Sequence, residues 1–162
     1  MSRQRTRHIA WIGALALGLA APAASGGTRT GTLTVQATVS SACALATTAM
    51  DFGTYYAGGV VRDAAGSIGY VKCYNTALTI ELDAGQNGSG GNRNMKSGTS
   101  LLRYEIYQDS ARTKVLGTGT GALPIASDAA GEAAVPIYGR IFSGQVVPAG
   151  TYTDAVGIVL TF

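Results

Sequence analysis

Apolar residues recur at every second position along several short stretches of this chain. The first is Gly31–Val39 (GTLTVQATV), where Leu33, Val35, Ala37 and Val39 alternate with Thr32, Thr34, Gln36 and Thr38. This is the period of a strand with one buried face, and at ~3.4 Å per residue it reaches roughly 30 Å, the length of a small sandwich. Further strands are predicted at Ser40–Leu45, which carries Cys43, and from Ile68 through Tyr70 to Tyr74, with Cys73 on or at its end. Ala77–Gly85 follows, with Leu78, Ile80 and Leu82 on one face, then Ser100–Asp109, with Leu102, Tyr104 and Ile106. Ala129–Val135 has helical composition, but it is short, contains Gly131 and runs into Pro136. Glu132–Phe142 therefore reads as a strand, with Pro136 at an edge or bulge. The longest alternation comes last: Tyr152, Asp154, Val156, Ile158, Leu160 and Phe162 share one face. Between these stretches, Met50–Gly59 reads as a turn or irregular edge and Arg62–Ser67 as a loop. Gly85–Ser100 reads as a surface loop whose glycines lack the spacing of a phosphate cradle. An all-β sandwich is the sum.

The N-terminal residues change how charge is read. Arg3, Arg5 and Arg7 precede an apolar run from Ile9 to Ala21 and then small residues, the pattern of a secretory signal peptide over residues 1–25 with cleavage after Ala23 or Ser25. The run is shorter than the ~20 residues that span a bilayer, so no membrane span is expected after cleavage. The chain carries 12 Lys and Arg against 9 Asp and Glu. Removing the three leader arginines leaves nine of each, so the basic pI is no argument for nucleic acid. The remaining length suits one domain. Cys43 and Cys73, in an exported chain, are expected to pair, a cross-link worth about 3.5 kcal/mol by loop entropy.

Candidate chemistry is sparse. The single histidine, His8, lies in the leader, which leaves no imidazole for a triad or a common zinc site. Glu81 and Asp83 share a face as some hydrolytic pairs do, but the opposite face is the apolar one, so they read as a solvated surface. Asp109 and Arg112 read as a turn-stabilising ion pair, and Asp154 as a cap on the preceding PAGTYT turn. The eight tyrosines are scattered over several strands, as half-buried sheet residues are. No catalytic residue, metal site or cofactor is expected.

The two end stretches pose an edge problem, because long apolar strands left unpaired template aggregation. Either Gly31–Val39 pairs with the final strand of its own domain, the commoner kind of connection, or it adds to the final strand of another copy. Periodicity leaves both open.

YEIYQDSARTKVLG (Tyr104–Gly117), AVPIYGRI (Ala134–Ile141) and PAGTYTDAVGIVLTF (Pro148–Phe162) resemble the spore coat protein U domain of archaic, Csu-type chaperone-usher pilins. The likeness extends over the chain after the leader. It implies an incomplete immunoglobulin-like sandwich completed by a donor strand from another subunit, with residues 26–40 as the donor extension and 41–162 as the sandwich. By that resemblance Leu33, Val35, Ala37 and Val39 plug a neighbour's groove, while Tyr152, Val156, Ile158, Leu160 and Phe162 belong to the strand bordering the acceptor groove. Cys43 and Cys73 match the family's disulfide. The implied partners are neighbouring pilin subunits, a periplasmic chaperone and an outer-membrane usher, with export through the periplasm to surface fimbriae serving adhesion and biofilm formation. Ala37 is small for a plug residue. The alternatives are a spore or cell coat protein built from the same module and, less favoured, a small secreted carbohydrate-active protein.

Overall fold

A computed structural model describes residues 30–40, 42–47 and 49–162; the leader reading of residues 1–25 lies outside them. The described residues contain eight strands and no α-helix. In chain order these are β1 (Ala44–Thr47), β2 (Arg62–Val71), β3 (Leu78–Leu82), β4 (Arg93–Ser97), β5 (Ser100–Tyr107), β6 (Leu123–Ile125), β7 (Ala133–Ile141) and β8 (Ile158–Thr161). They form a five-stranded sheet of order β1-β2-β7-β5-β4 and a three-stranded sheet of order β6-β3-β8, antiparallel throughout.

The period-2 pattern finds its partner in the space between these sheets. Ile68 from β2, Ile80 and Leu82 from β3, Leu102, Tyr104 and Ile106 from β5, and Ile137 and Ile141 from β7 form one buried cluster with Phe52 and Leu116. A smaller cluster of Tyr70, Cys73 and Leu78 lies beside the Cys43–Cys73 disulfide. A buried charge also links the two sheets. Arg93 of β4, only 4% exposed, pairs with Glu105 of β5 and donates to the carbonyls of Leu82 and Asp83 at the end of β3.

Pro136 sits in β7 opposite Ser67 of β2, but the β5 ladder on the other side of β7 covers only Tyr138 to Ile141. The proline thus occupies a stretch with a single neighbour, where its missing N–H costs no second ladder.

Four sequence expectations are corrected. Arg62–Ser67 is the first half of β2, not a loop: its small residues, Ala64, Ala65 and Gly66, hide the alternation, yet every one pairs with β7. Gly85–Ser100 is not all loop either. It contains β4, which a two-residue turn through Gly98 (φ 57°) and Thr99 folds against β5. Arg112 does not pair with Asp109. It reaches Asp63 across the sheet at 3.3 Å, while Asp109 holds its turn by accepting from the backbone N–H of Thr113 and Lys114. Asp154 does not cap the PAGTYT turn; the Tyr152 hydroxyl closes that turn onto the Pro148 carbonyl at 2.9 Å. The latter bond resembles the tyrosine corner of immunoglobulin-like sandwiches.

Smaller differences concern boundaries. The first strand begins at Ala44, past Cys43, the final strand at Ile158, and β6 lies where no strand was expected. Residues 31–40 carry no regular secondary structure.

Candidate functional site

The sandwich is open along one side. One bank of the opening is residues 49–57, a stretch without strand structure. Asp51 accepts from the Gly53 N–H at 2.7 Å, Arg62 Nε donates to the Phe52 carbonyl at 2.7 Å, and the Tyr55 hydroxyl donates to the Phe142 carbonyl and accepts from the Gln145 N–H. Met50 and Phe52 lie over Gly139 of β7. A Cβ there would overlap the Met50 Sδ and come within 2.6 Å of the Phe52 ring, so only glycine admits this close approach.

The other bank is Thr151–Ile158. Thr153 exchanges both backbone hydrogen bonds with Lys96 of β4, and two residues later Gln86 donates to the Ala155 carbonyl. Asp83 donates its N–H to the Gly157 carbonyl at 3.0 Å and accepts the Gly157 N–H on its carboxylate at 2.8 Å. The segment therefore passes from one sheet to the other before β8 forms. All these bonds lie on the side of β3 and β4, and among the described residues β3 is the only ladder neighbour of β8. Antiparallel alternation turns the backbone groups of Val156 and Ile158 the opposite way, toward the opening.

Between the banks lie two contiguous hollows of about 610 and 590 Å³, which share Met50, Phe52, Met95 and Tyr152. Core side chains floor the larger one: Ile68, Leu82, Tyr104, Ile106 and Ile137. A gap that reaches the core of a sandwich, along the free edge of a terminal strand, has the form of a missing strand.

One polar device is set into this groove. The Asp154 carboxylate accepts from the Tyr104 hydroxyl at 2.8 Å and from the backbone and side-chain N–H groups of Asn87 at 3.2 and 2.9 Å. Burial pushes the Tyr104 phenol well above its ordinary pKa, and the bond to Asp154 adds to the shift. The tyrosine thus remains a donor committed to one acceptor.

Of the residues singled out in the sequence, Tyr152, Val156 and Ile158 line the groove and Leu160 packs half-buried from β8. Phe162 lies past β8 and is 60% exposed. Leu33, Val35 and Val39 are 85, 82 and 95% exposed, and Ala37 is exposed as well. Cys43 and Cys73 are disulfide-bonded. Glu81 and Asp83 act as backbone acceptors, Glu81 for Gly119 and Asp83 for Gly85 and Gly157. Among the described residues no group of His, Cys, Asp or Glu is arranged to hold a metal, and no helix is long and apolar enough to cross a membrane. Sequence reasoning missed Met50, Phe52, Met95 and Tyr104 as groove residues. For Met50 and Phe52 the only signal was an apolar pair inside an otherwise irregular stretch.

The fold of two packed antiparallel sheets is similar to that of solved chaperone-usher pilus subunits. The chain superposes with a TM-score of 0.58 and 23% identity on a chain of the CsuC–CsuE chaperone–tip adhesion subunit pre-assembly complex from the archaic Csu pili of Acinetobacter baumannii. That match covers 74% of this chain and 39% of the other. A chaperone-usher pilus studied for rod uncoiling gives 0.54 at 18% identity, over 88% of this chain and 99% of that one. Residues 29–159 match the Spore Coat Protein U domain, and the chain belongs to that family. It is also 32% identical to Protein U of Myxococcus xanthus, over 86% of this chain and 88% of that protein.

Proposed function

We propose that this chain is an exported structural subunit of a chaperone-usher fibre and polymerises by strand donation. Gly31–Val39 of one copy enters the groove of the next, with Leu33, Val35, Ala37 and Val39 directed to the core and the backbone paired to the free edge of β8. The observation that carries this reading is the groove itself. Its floor is core, its border is an unpaired strand edge, and the same chain holds an alternating apolar segment with no strand structure of its own. Before assembly the unfilled groove is covered by a periplasmic chaperone that lends a strand. An outer-membrane usher then exchanges that strand for the next subunit's segment, and the fibre reaches the cell surface to serve adhesion and biofilm formation.

Deleting residues 31–39 tests the proposal. The shortened subunit is expected to remain soluble with a chaperone, to occupy one fibre end and to propagate no further. Normal fibres from the deletion mutant, seen by electron microscopy, would refute strand donation.

The kinship with Protein U and the family's spore-coat description favour a second reading, in which the same strand exchange builds a coat around a cell or spore. Microscopy of native surface material separates the two: filaments support the fibre, a continuous layer the coat.

A further inference from the structure

The chain has three methionines. Met1 begins it, and the other two, Met50 and Met95, both lie in the groove where the two hollows meet. Each is half-buried, packed against the core cluster on one side and facing the open hollow on the other. Met50 rests on the inner face of the five-stranded sheet, where a Cβ on Gly66 would come within 3.5 Å of its terminal methyl.

Building on the reading of the groove as the seat of a neighbour's strand, we propose that Met50 and Met95 form an oxidative-modification site whose state is coupled to groove occupancy. In the empty subunit a peroxide converts these thioethers to sulfoxides, and the groove then rejects an apolar strand. A seated strand covers the sulfurs and protects them. In the reaction the thioether sulfur attacks one peroxide oxygen, forming the S–O bond as the O–O bond breaks. The sulfur loses two electrons, and the second oxygen leaves as water after proton transfer, so that R₂S and H₂O₂ give R₂SO and H₂O.

The surroundings explain why the product disfavours binding. A sulfoxide is polar and seeks a hydrogen-bond donor, whereas the walls nearby include Phe52, Leu102, Ile106, Ile137 and Val147, with the polar Thr151 and Thr153 on the β8 bank. The floor hydroxyl, that of Tyr104, already donates to Asp154. A strand entering the groove would press the new dipole against these apolar side chains, a cost large enough to weaken binding about tenfold or more.

The test uses the full-length chain isolated as monomer, a fluorescein-labelled peptide of residues 31–39, and hydrogen peroxide. Peptide affinity is read by anisotropy, sulfoxide at each methionine by mass spectrometry, and folding by circular dichroism. Peroxide is expected to oxidise both methionines and weaken the peptide about tenfold or more with the fold retained. Prior addition of peptide is expected to slow oxidation at both. Met50→Leu/Met95→Leu, compared with its own untreated sample, is expected to show no peroxide effect whatever its starting affinity. Failure of the untreated chain to bind the peptide would refute the strand-accepting groove, and this inference with it. Full affinity after oxidation, oxidation unaffected by peptide, loss of the fold on oxidation, or persistent peroxide sensitivity in the double variant would each overturn the inference alone.

Discussion

Two stretches of this chain alternate with the same period and meet different fates. Tyr152–Leu160 is half-buried at every second residue and ends in β8, whereas Leu33–Val39 has the same alternation and is exposed at every position. Composition does not separate them, since both carry β-branched and aliphatic side chains on one face. What separates them is a neighbour. The last stretch has Asp83, Lys96 and β3 to receive its backbone on one side, while residues 31–39 have no ladder partner among the described residues. An amphipathic strand is a half-made object, and its structure depends on the edge it is offered.

The largest effect should come from breaking that pair at either end. Leu33→Asp with Val35→Asp removes the donor face, and Ile158→Asp spoils the acceptor bank. Each variant alone is expected to yield no fibres under electron microscopy. Mixed, they should form dimers and stop, because only one compatible groove and strand remain. Fibres from the mixture would break the proposed complementarity.

The next effects concern what keeps the closed part of the sandwich closed. Glu105→Gln leaves the Arg93 charge buried without its counterion and should cost about 3–5 kcal/mol in urea unfolding. Cys43→Ser should cost about 3.5 kcal/mol through the entropy of the reopened loop, read from the same denaturation curves.

A smaller change bears on the groove bank. Gly139→Ala pushes Met50 and Phe52 off β7, an overpacking worth about 1–3 kcal/mol. Faster hydrogen exchange is expected around residues 49–53. An equal slowing of exchange on both banks would contradict the close approach.

The smallest effect is a pH dependence on the outer face of the five-stranded sheet. Arg140 hydrogen-bonds Asp63, with Arg112 nearby, and the carboxyl is held below its ordinary 3.8. A depressed carboxylate pKa contributes stability that is fully present above the unfolded value and lost as pH falls through the folded one. The advantage of wild type over Asp63→Asn should therefore hold at neutral pH and fade in acid below the usual carboxylate range. The exposure of Asp63 keeps it small.

Legibility in the sequence followed side-chain size. β3, β5 and β7 stood out because Leu78, Ile80, Leu82, Leu102, Tyr104 and Ile106 mark the buried face with large residues, and because Gly131 and Pro136 exclude a helix around β7. The first half of β2 did not, since Ala64 and Gly66 face inward, Gly66 beneath Met50, and carry little hydrophobic signal of their own. β4 was masked by Asn and Gly neighbours, and of its inward residues Arg93 and Met95 the first is a charge whose burial depends on Glu105 and two carbonyls outside the strand. The bank at residues 49–57 has no periodic pattern, because its place is set by contacts with Gly139 and Gln145.

Local pattern was therefore enough for the all-β class, for most of the strands facing the core, for the cysteine pair and for the family resemblance. These depend on side-chain period and on blocks of residues that are close in sequence. The groove, the change of sheet at Thr153, the Asp154–Tyr104 bond and the position of Met50 and Met95 came from long-range packing. Each joins residues tens of positions apart, and alternation along one strand carries no information about which strand will stand beside it, or whether any will.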